Sequence, residues 1–202
     1  MKNNPPATNR NKKEAKRNNK KNQLPSEPTA NKDQTNQPKI IKVKIIGDSQ
    51  LRKISGEKLS KDRHSVCVEE MPGARIAHMK NVHIEKDTNA IIVHAGTCNI
   101  RKQTDPDELS DEIVSTLRVI KSRFPKIQIA FSSILKRNDD LELNSKVLAT
   151  NKLLEEKVLL SGLDFIDNSN LRYGNSSFDG LHVNDGGVKM LASNFSKYLR
   201  YC

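Results

Sequence analysis

Three residues that are far apart in the chain have the side chains of a serine-dependent catalytic site. Ser49 follows Gly47 and Asp48 at the end of a β-branched run, and Asp179 lies three residues before His182. A serine hydroxyl attacks an acyl carbon when an imidazole takes its proton and a carboxylate holds that imidazole in the correct tautomer. The Gly-Asp-Ser tripeptide alone also suits a simple turn that caps the next helix, so the interpretation depends on the rest of the chain.

Acyl transfer also needs donors for the oxyanion that forms on the carbonyl oxygen. The backbone N–H of Ser49 is one candidate, and that of Gly73, which follows Pro72, is another. A glycine allows close approach of the backbone to a ligand, although a Pro-Gly pair is equally typical of an ordinary strand-to-helix turn. Such chemistry requires neither a metal nor a cofactor.

The elements that must position these residues alternate between strand and helix patterns. Apolar runs predict five strands, at Val43 to Ile46, Ser65 to Glu69, Asn89 to His94, Ile127 to Phe131 and Leu163 to Ile166. Helical spacing predicts a short helix over Leu51 to Leu59, a helix from the Asp105 cap to Phe124, one over Ser145 to Leu160 and one from Asp185. A polar loop is expected from Lys136 to Leu143. This alternation predicts a three-layer α/β/α domain with a parallel sheet.

In a parallel sheet of this kind, the loops that follow the strands meet at one crevice. Ser49 follows the first strand, Gly73 the second, and Cys98 and Asn99 the third. The loop from Asp179 to His182 precedes the last helix. The sequence therefore predicts that all these residues share one rim of the domain.

The four blocks resemble those of the SGNH (GDSL-type) hydrolase family over about residues 42–200. Gly47-Asp48-Ser49 is similar to the first block, although Gln50 stands in place of the family's Leu. Gly73 matches the second block, and the stretch from Asp179 to His182 resembles the last. The resemblance implies a flavodoxin-like five-stranded sheet and a serine esterase that acts on a small acyl ester such as an acetyl ester.

The third block departs from the family pattern. It reads Gly96-Thr97-Cys98-Asn99, so Cys98 stands where the resemblance places the oxyanion-binding Asn. A thiol is a weak donor, and loss of one oxyanion donor costs about a hundred- to a thousandfold in turnover. Asn99 is a candidate substitute, although neighbouring side chains tend to point in opposite directions. Cys98 as an independent nucleophile is the weaker alternative, because no base lies beside it in sequence.

The residues of these blocks look most similar to those of SGNH domains in invertebrate transposon-related proteins. Two functions therefore stay open. The first is the esterase, and the second is a catalytically impaired module of the same fold that binds nucleic acid or protein through a basic segment. We favour the esterase because Ser49, Asp179 and His182 are all retained.

Residues 1–39 differ from the rest in composition. They carry ten Lys or Arg against three acidic residues, a net charge of +7 out of +11 for the chain, and no aromatic residue. This composition predicts a disordered basic segment ahead of an α/β domain at residues 40–202. Phosphates, acidic proteins or nuclear import machinery could contact its densest cations. A segment that only keeps the chain soluble is the alternative. Those cations are Lys12, Lys13, Lys16, Arg17, Lys20 and Lys21. Nucleic-acid binding through them would be weak and salt-sensitive.

The remaining patterns limit location and metal binding. Cys67, Cys98 and Cys202 are odd in number, no signal-peptide pattern follows Met1, and no apolar stretch is long enough to cross a membrane. These features favour a reduced intracellular compartment, cytoplasmic or nuclear, with no membrane partner. A zinc site is disfavoured because the spacing matches no standard module. Its candidate ligands would be His64, Cys67, His78 and His83.

Overall fold

Five parallel strands form one sheet in the computed structural model, which describes residues 39–61, 63–175, 177 and 179–202. The strands are β1 (Ile41–Gly47), β2 (His64–Glu70), β3 (Ala90–His94), β4 (Gln128–Ser132) and β5 (Asp164–Ile166). Their order in the sheet is β2-β1-β3-β4-β5, the flavodoxin-like order. The predicted fold class is thereby confirmed. The predicted basic segment lies outside the described residues apart from Lys39.

Helices and short 3₁₀ turns connect the strands. The helices are α1 (Gly56–Leu59), α2 (Ile76–Met79), α3 (Pro106–Arg123), α4 (Leu141–Leu160) and α5 (Asp185–Leu199). The 3₁₀ turns are Ser49–Leu51, Thr97–Asn99 and Tyr173–Asn175. The first two turns follow β1 and β3 directly, so they lie at the edge of the sheet where the strands end.

Each face of the sheet packs against its own helices. Ile46 and Phe131 belong to a buried cluster with α3 and α4, whereas Ile45 belongs to a second cluster with Phe195 of α5. Consecutive strand residues such as Ile45 and Ile46 point to opposite faces, and both are fully buried. A strand buried on both faces must be apolar throughout, which explains the continuous apolar runs in the sequence.

The segment after β1 differs from the predicted helix over Leu51 to Leu59. Its first part is the 3₁₀ turn that Asp48 caps, and α1 occupies only the last part. The Ser55 side chain accepts a hydrogen bond from the Lys58 N–H and so sets the start of α1. Both cap residues, Asp48 and Ser55, have extended rather than helical backbone angles. The segment therefore forms a 3₁₀ turn and a separate short helix instead of one continuous helix.

The polar loop predicted over Lys136 to Leu143 is shorter than expected. Helix α4 begins at Leu141, four residues before the predicted start at Ser145. Asp140 is the N-cap, and its carboxylate accepts a hydrogen bond from the Leu143 N–H at 3.1 Å. An exposed leucine at the first helical position carried no periodic signal, which is why the sequence pattern missed this turn.

Candidate active site

Ser49 lies at the end of β1 on a turn that is fixed at both sides. The Asp48 N–H donates to the carbonyl oxygen of His94 at 3.1 Å, and the Asp48 carboxylate accepts from the Gln50 N–H at 3.1 Å. A Cβ atom at Gly47 would lie 2.0 Å from the His94 carbonyl oxygen, so a larger residue would push β1 and β3 apart. Glycine and aspartate thus hold the serine at this edge of the sheet.

The structure joins the three predicted side chains in one hydrogen-bonded chain. His182 Nδ1 lies 2.7 Å from Asp179 Oδ2, and His182 Nε2 lies 3.0 Å from Ser49 Oγ. Because an ionised carboxylate only accepts, Nδ1 carries the proton of the neutral imidazole and Nε2 is the acceptor. The Ser49 hydroxyl therefore donates to Nε2, which is the geometry in which a base removes the proton of a nucleophile.

Asp179 holds His182 by its backbone as well as by its ring. The other carboxylate oxygen accepts from the backbone N–H groups of Leu181 and His182 at 3.0 and 2.9 Å. The hydrogen bond from the His182 ring, together with these two backbone donors, lowers the pKa of Asp179 to about 2. The carboxylate is therefore ionised at neutral pH, although its side chain is 38% exposed.

Gln50 is a site residue that the sequence analysis noted only as a departure from the family pattern. Its side chain is 2% exposed. The amide nitrogen donates to the Leu181 carbonyl at 2.9 Å, and the amide oxygen accepts from the Val183 N–H at 3.3 Å. A leucine cannot make either bond. Gln50 thus fastens the chain on both sides of His182 to the turn that carries Ser49.

A second anchor joins the histidine loop to the loop after β4. Gly180 has a φ of +68°, and a Cβ atom there would lie 2.6 Å from the Asp139 backbone nitrogen. The Asn138 N–H donates to the Gly180 carbonyl at 2.7 Å. Only glycine combines this backbone angle with this close approach, which explains why position 180 is a glycine.

The two backbone donors that the sequence predicts for the oxyanion are the N–H groups of Ser49 and Gly73. Within the described part of the chain, the N–H groups of Ser49 and Gly73 have no hydrogen-bond partner. Gly73 lies in the loop after β2, which neighbours β1, and it is exposed. Donors without an internal partner can serve a ligand, so both remain candidates for the oxyanion hole.

Cys98 lies in the 3₁₀ turn after β3 and is partly buried. Burial raises the pKa of its thiol, the negative charge of Asp48 raises it further, and Arg75 acts in the opposite direction. The thiol is thus protonated at neutral pH, which argues against Cys98 as a nucleophile.

The hydrogen bonds of the Asn99 side chain argue against Asn99 as a substitute oxyanion donor. Its side-chain oxygen accepts from the Ile76 N–H at 3.0 Å, and its nitrogen lies 3.4 Å from a carboxylate oxygen of Glu112. The Ile76 N–H is the first of α2 and has no partner within that helix. Asn99 therefore connects α2 and α3, because a helix start needs the acceptor that its side chain supplies.

A buried polar network connects the ends of β3 and β4 to α5. His94 Nδ1 lies 2.9 Å from the Ser132 hydroxyl, which accepts from Asn168 at 2.7 Å, and Asn168 accepts from Asn194 of α5 at 2.9 Å. Burial lowers the pKa of His94, so this ring is neutral at physiological pH. The network gives His94 a structural role, since it joins β3, β4 and α5.

The pocket at Ser49 is small. It has a volume of about 200 Å³. The lining residues are Ser49, Gln50, Arg52, Lys53, Ser177, Asp179, His182, Val183 and Val188. A pocket of this size is below the range of typical drug-sized sites and fits a small acyl group.

The other candidate groups of the sequence do not assemble into a site in the described residues. His64, Cys67, His78 and His83 form no group that could hold a metal ion, and neither do other His, Cys, Asp or Glu side chains there. The cations at positions 12 to 21 lie outside the described residues. Within residues 39–61, 63–175, 177 and 179–202, every helix is too short or too polar to cross a membrane.

Comparison with known proteins identifies the fold. No protein-family model matches the sequence, and no curated protein matches it. Similar solved structures include a lipolytic protein of the G-D-S-L family from Veillonella parvula, with 16% identity over 80% of this chain and 100% of that chain and a TM-score of 0.66. A lipase/acylhydrolase from Enterococcus faecalis has 14% identity over 80% and 96%, with a TM-score of 0.63. Est24, a carbohydrate acetylesterase from Sinorhizobium meliloti, has 11% identity over 80% and 99%, with a TM-score of 0.66. The chain therefore has the SGNH hydrolase fold.

Proposed function

We propose that this chain is a serine ester hydrolase that transfers a small acyl group first to Ser49 and then to water. The observation that carries the proposal is the hydrogen-bonded chain from Ser49 through His182 to Asp179, with its distances of 3.0 and 2.7 Å. Nucleophile, base and orienting carboxylate stand in the order that acyl transfer requires.

In the first half of the reaction, Ser49 Oγ attacks the carbonyl carbon while its proton moves to His182 Nε2. Asp179 stabilises the resulting imidazolium, since its carboxylate stays ionised. The backbone N–H groups of Ser49 and Gly73 donate to the oxyanion. His182 then gives the proton to the departing alcohol oxygen, and the acyl group remains on Ser49.

In the second half, water replaces the alcohol. His182 takes a proton from the water as its oxygen attacks the acyl carbon, and it returns that proton to Ser49 Oγ as the acid leaves. Every proton in both halves passes through one imidazole nitrogen. The position of His182 is therefore the most demanding feature of the site.

The substrate class we infer is a short acyl ester, such as an acetyl ester. The small volume of the pocket supports this choice, as do the apolar side chains of Val183 and Val188 in its wall. The similarity in fold to Est24, a carbohydrate acetylesterase, agrees with it.

Cys98 makes this a slow enzyme under the proposal. It stands in the position where the resemblance expects an amide donor, and its protonated thiol is a weak donor. The backbone donors of Ser49 and Gly73 carry the oxyanion in its place. Turnover should then fall about a hundred- to a thousandfold below that of a site with all donors.

A fluorophosphonate probe tests the nucleophile, because it reacts with serines that an adjacent base activates. We expect the full chain to be labelled and the Ser49→Ala variant to remain unlabelled. Ser122→Ala is the matched control, since Ser122 is an exposed residue of α3 outside the pocket and should leave labelling intact. A well-folded wild-type chain that resists the probe would contradict the proposal and favour the non-catalytic binding module.

Two finer parts of the sequence interpretation stay predictions. One is the likeness to SGNH domains of transposon-related proteins. The other is weak nucleic-acid binding through Lys12, Lys13, Lys16, Arg17, Lys20 and Lys21. Neither part is needed for the proposed chemistry.

A further inference from the structure

A second concave surface runs between α1 and α5, with a volume of about 630 Å³. We call it the basic groove. Its apolar lining residues are Ile54, Leu59, Val188 and Ala192. Its charged lining residues are Lys53, Lys58, Lys61, Lys189, Arg200 and Asp185. Ser55, Ser193 and Ser196 add hydroxyl groups.

The cations of the basic groove are mostly without counter-charges. Asp185 pairs with Lys53 at 2.8 Å. In the described residues, the other four cations take part in no ion pair, and the exposed Glu57 of α1 does not line the groove. Five cations against one carboxylate give the groove a net charge of +4. Residues 40–202 hold 25 Lys or Arg against 21 Asp or Glu, also +4, so the excess charge of the domain matches that of this one surface.

The polar side chains contributed by α5 form a straight stripe. Lys189, Ser193, Ser196 and Arg200 are separated by four, three and four residues, the spacing of one helix face. At a rise of about 1.5 Å per residue, the two cations at its ends are about 16 Å apart along the axis. Such a length corresponds to about five nucleotides at about 3.4 Å per step of B-DNA.

We propose that the basic groove binds the phosphodiester backbone of a nucleic acid. A cluster of Lys and Arg on one surface is the electrostatic footprint of such proteins, and lysine ammonium and serine hydroxyl groups are common donors to phosphate oxygens. No aromatic side chain lines the groove among the described residues, so bases would not be stacked there. Binding is therefore independent of sequence and depends on salt. The proposal does not depend on esterase activity.

The shape of the surface favours a nucleic acid over a bilayer. The surface is concave and lined by cations, and a phosphodiester ridge can enter it. A flat layer of lipid headgroups would instead contact only the rim. Anionic vesicles are thus the competing ligand that the experiment must include.

The test measures binding of a labelled DNA duplex of about 20 base pairs to the full chain across a range of salt concentrations. The groove variant combines Lys58→Gln, Lys61→Gln and Lys189→Gln. Each neutralised phosphate contact contributes about 0.9 to the slope of log K against log salt, so three lost contacts should reduce the slope by about 2.7. At about 0.1 M salt the affinity should fall more than about tenfold.

The matched control combines Lys86→Gln, Lys126→Gln and Lys152→Gln, which remove the same charge from exposed positions outside the groove. It should leave the slope within about one contact of the wild type. A third variant, with Gln at Lys12, Lys13, Lys16, Arg17, Lys20 and Lys21, measures the basic segment separately. Thermal unfolding establishes that all variants fold.

Two results would overturn the proposal. One is a groove variant with the same slope and affinity as the control variant, whatever the segment variant does. The other is a groove variant that no longer binds phosphatidylserine vesicles but binds the duplex as the wild type does. That result would assign the basic groove to a membrane surface. Fluorophosphonate labelling of Ser49 can succeed or fail in either case, so the two proposals are tested apart.

Discussion

The two sides of the candidate active site are built differently. On the proton-transfer side, Ser49, His182 and Asp179 form a continuous hydrogen-bonded chain, and Gln50 holds the backbone on both sides of the histidine. For the oxyanion, the donors that we propose are the backbone N–H groups of Ser49 and Gly73. Cys98 has only a thiol, which is a weak donor, and the Asn99 amide is bound to α2 and α3.

This difference follows from what each task requires of the side chains. Proton transfer needs a particular side chain at a particular distance, and it fails when one member is missing. Oxyanion binding is shared among several donors, and backbone donors persist whatever residue stands at position 98. A change on the oxyanion side should therefore slow the reaction, whereas a change on the other side should stop it.

The largest expected effect comes from removing the base. His182→Ala should lower kcat/KM for p-nitrophenyl acetate by about 10⁴ or more, because Ser49 loses its only route for proton transfer. His83→Ala is the matched control, since its side chain is exposed outside the pocket. A His182→Ala variant with more than a tenth of wild-type activity would show that His182 is not the base.

The opposite change is expected on the oxyanion side. Cys98→Asn supplies a strong side-chain donor, so we expect kcat for the same ester to rise by at least about tenfold, towards the hundred- to thousandfold effect that one oxyanion donor usually has. Cys67→Asn is the control, because Cys67 is exposed on β2. An unchanged or lower rate for Cys98→Asn would mean that residue 98 does not face the oxyanion.

A smaller effect should follow from loosening the histidine loop. Gln50→Leu removes the bonds to Leu181 and Val183, and a displacement of His182 by a fraction of an ångström should lower kcat about tenfold. Gln103→Leu, at an exposed position, should have no effect. The His182 Nδ1–H proton resonance in NMR is the direct readout. If it is unchanged in Gln50→Leu, Gln50 does not position the ring.

The smallest effect concerns acid stability. The pKa of Asp179 falls from 3.8 to about 2 on folding, mainly through its bond to His182. Its contribution to folding stability is therefore complete above pH 3.8 and is lost as the pH falls towards about 2. We expect the Tm difference between wild type and Asp179→Asn to shrink over this range. A difference that stays constant with pH would show that the carboxylate titrates normally.

The fold could be predicted because its strands are buried on both faces. Such strands must be apolar throughout, and Ile91, Ile92 and Val93 show this directly. Helix boundaries were harder, since Asp140 and Ser55 set them by hydrogen bonds to single N–H groups that leave little trace in periodicity. Local capping therefore decided what the apolar pattern left open.

The site could be predicted in part. Parallel topology brings the strand ends together, so the meeting of Ser49 with the Asp179–His182 loop was foreseeable, while the catalytic roles of these residues stay predictions. The two bonds of Gln50 could not be foreseen, because they depend on the path of a loop more than 130 positions away in the chain. The orientation of Asn99 likewise depends on where α2 begins. Glutamine at the position of the family's leucine was the one available signal for Gln50.

The most direct test of the central claim is to trap the acyl-enzyme. The full chain is mixed with p-nitrophenyl acetate, quenched in acid within one turnover, digested and examined by mass spectrometry. We expect one acetyl group on the peptide that contains Ser49, absent from the Ser49→Ala variant. Acetyl on Cys98 instead, or no acetyl at Ser49 in a folded chain that hydrolyses the ester, would contradict it.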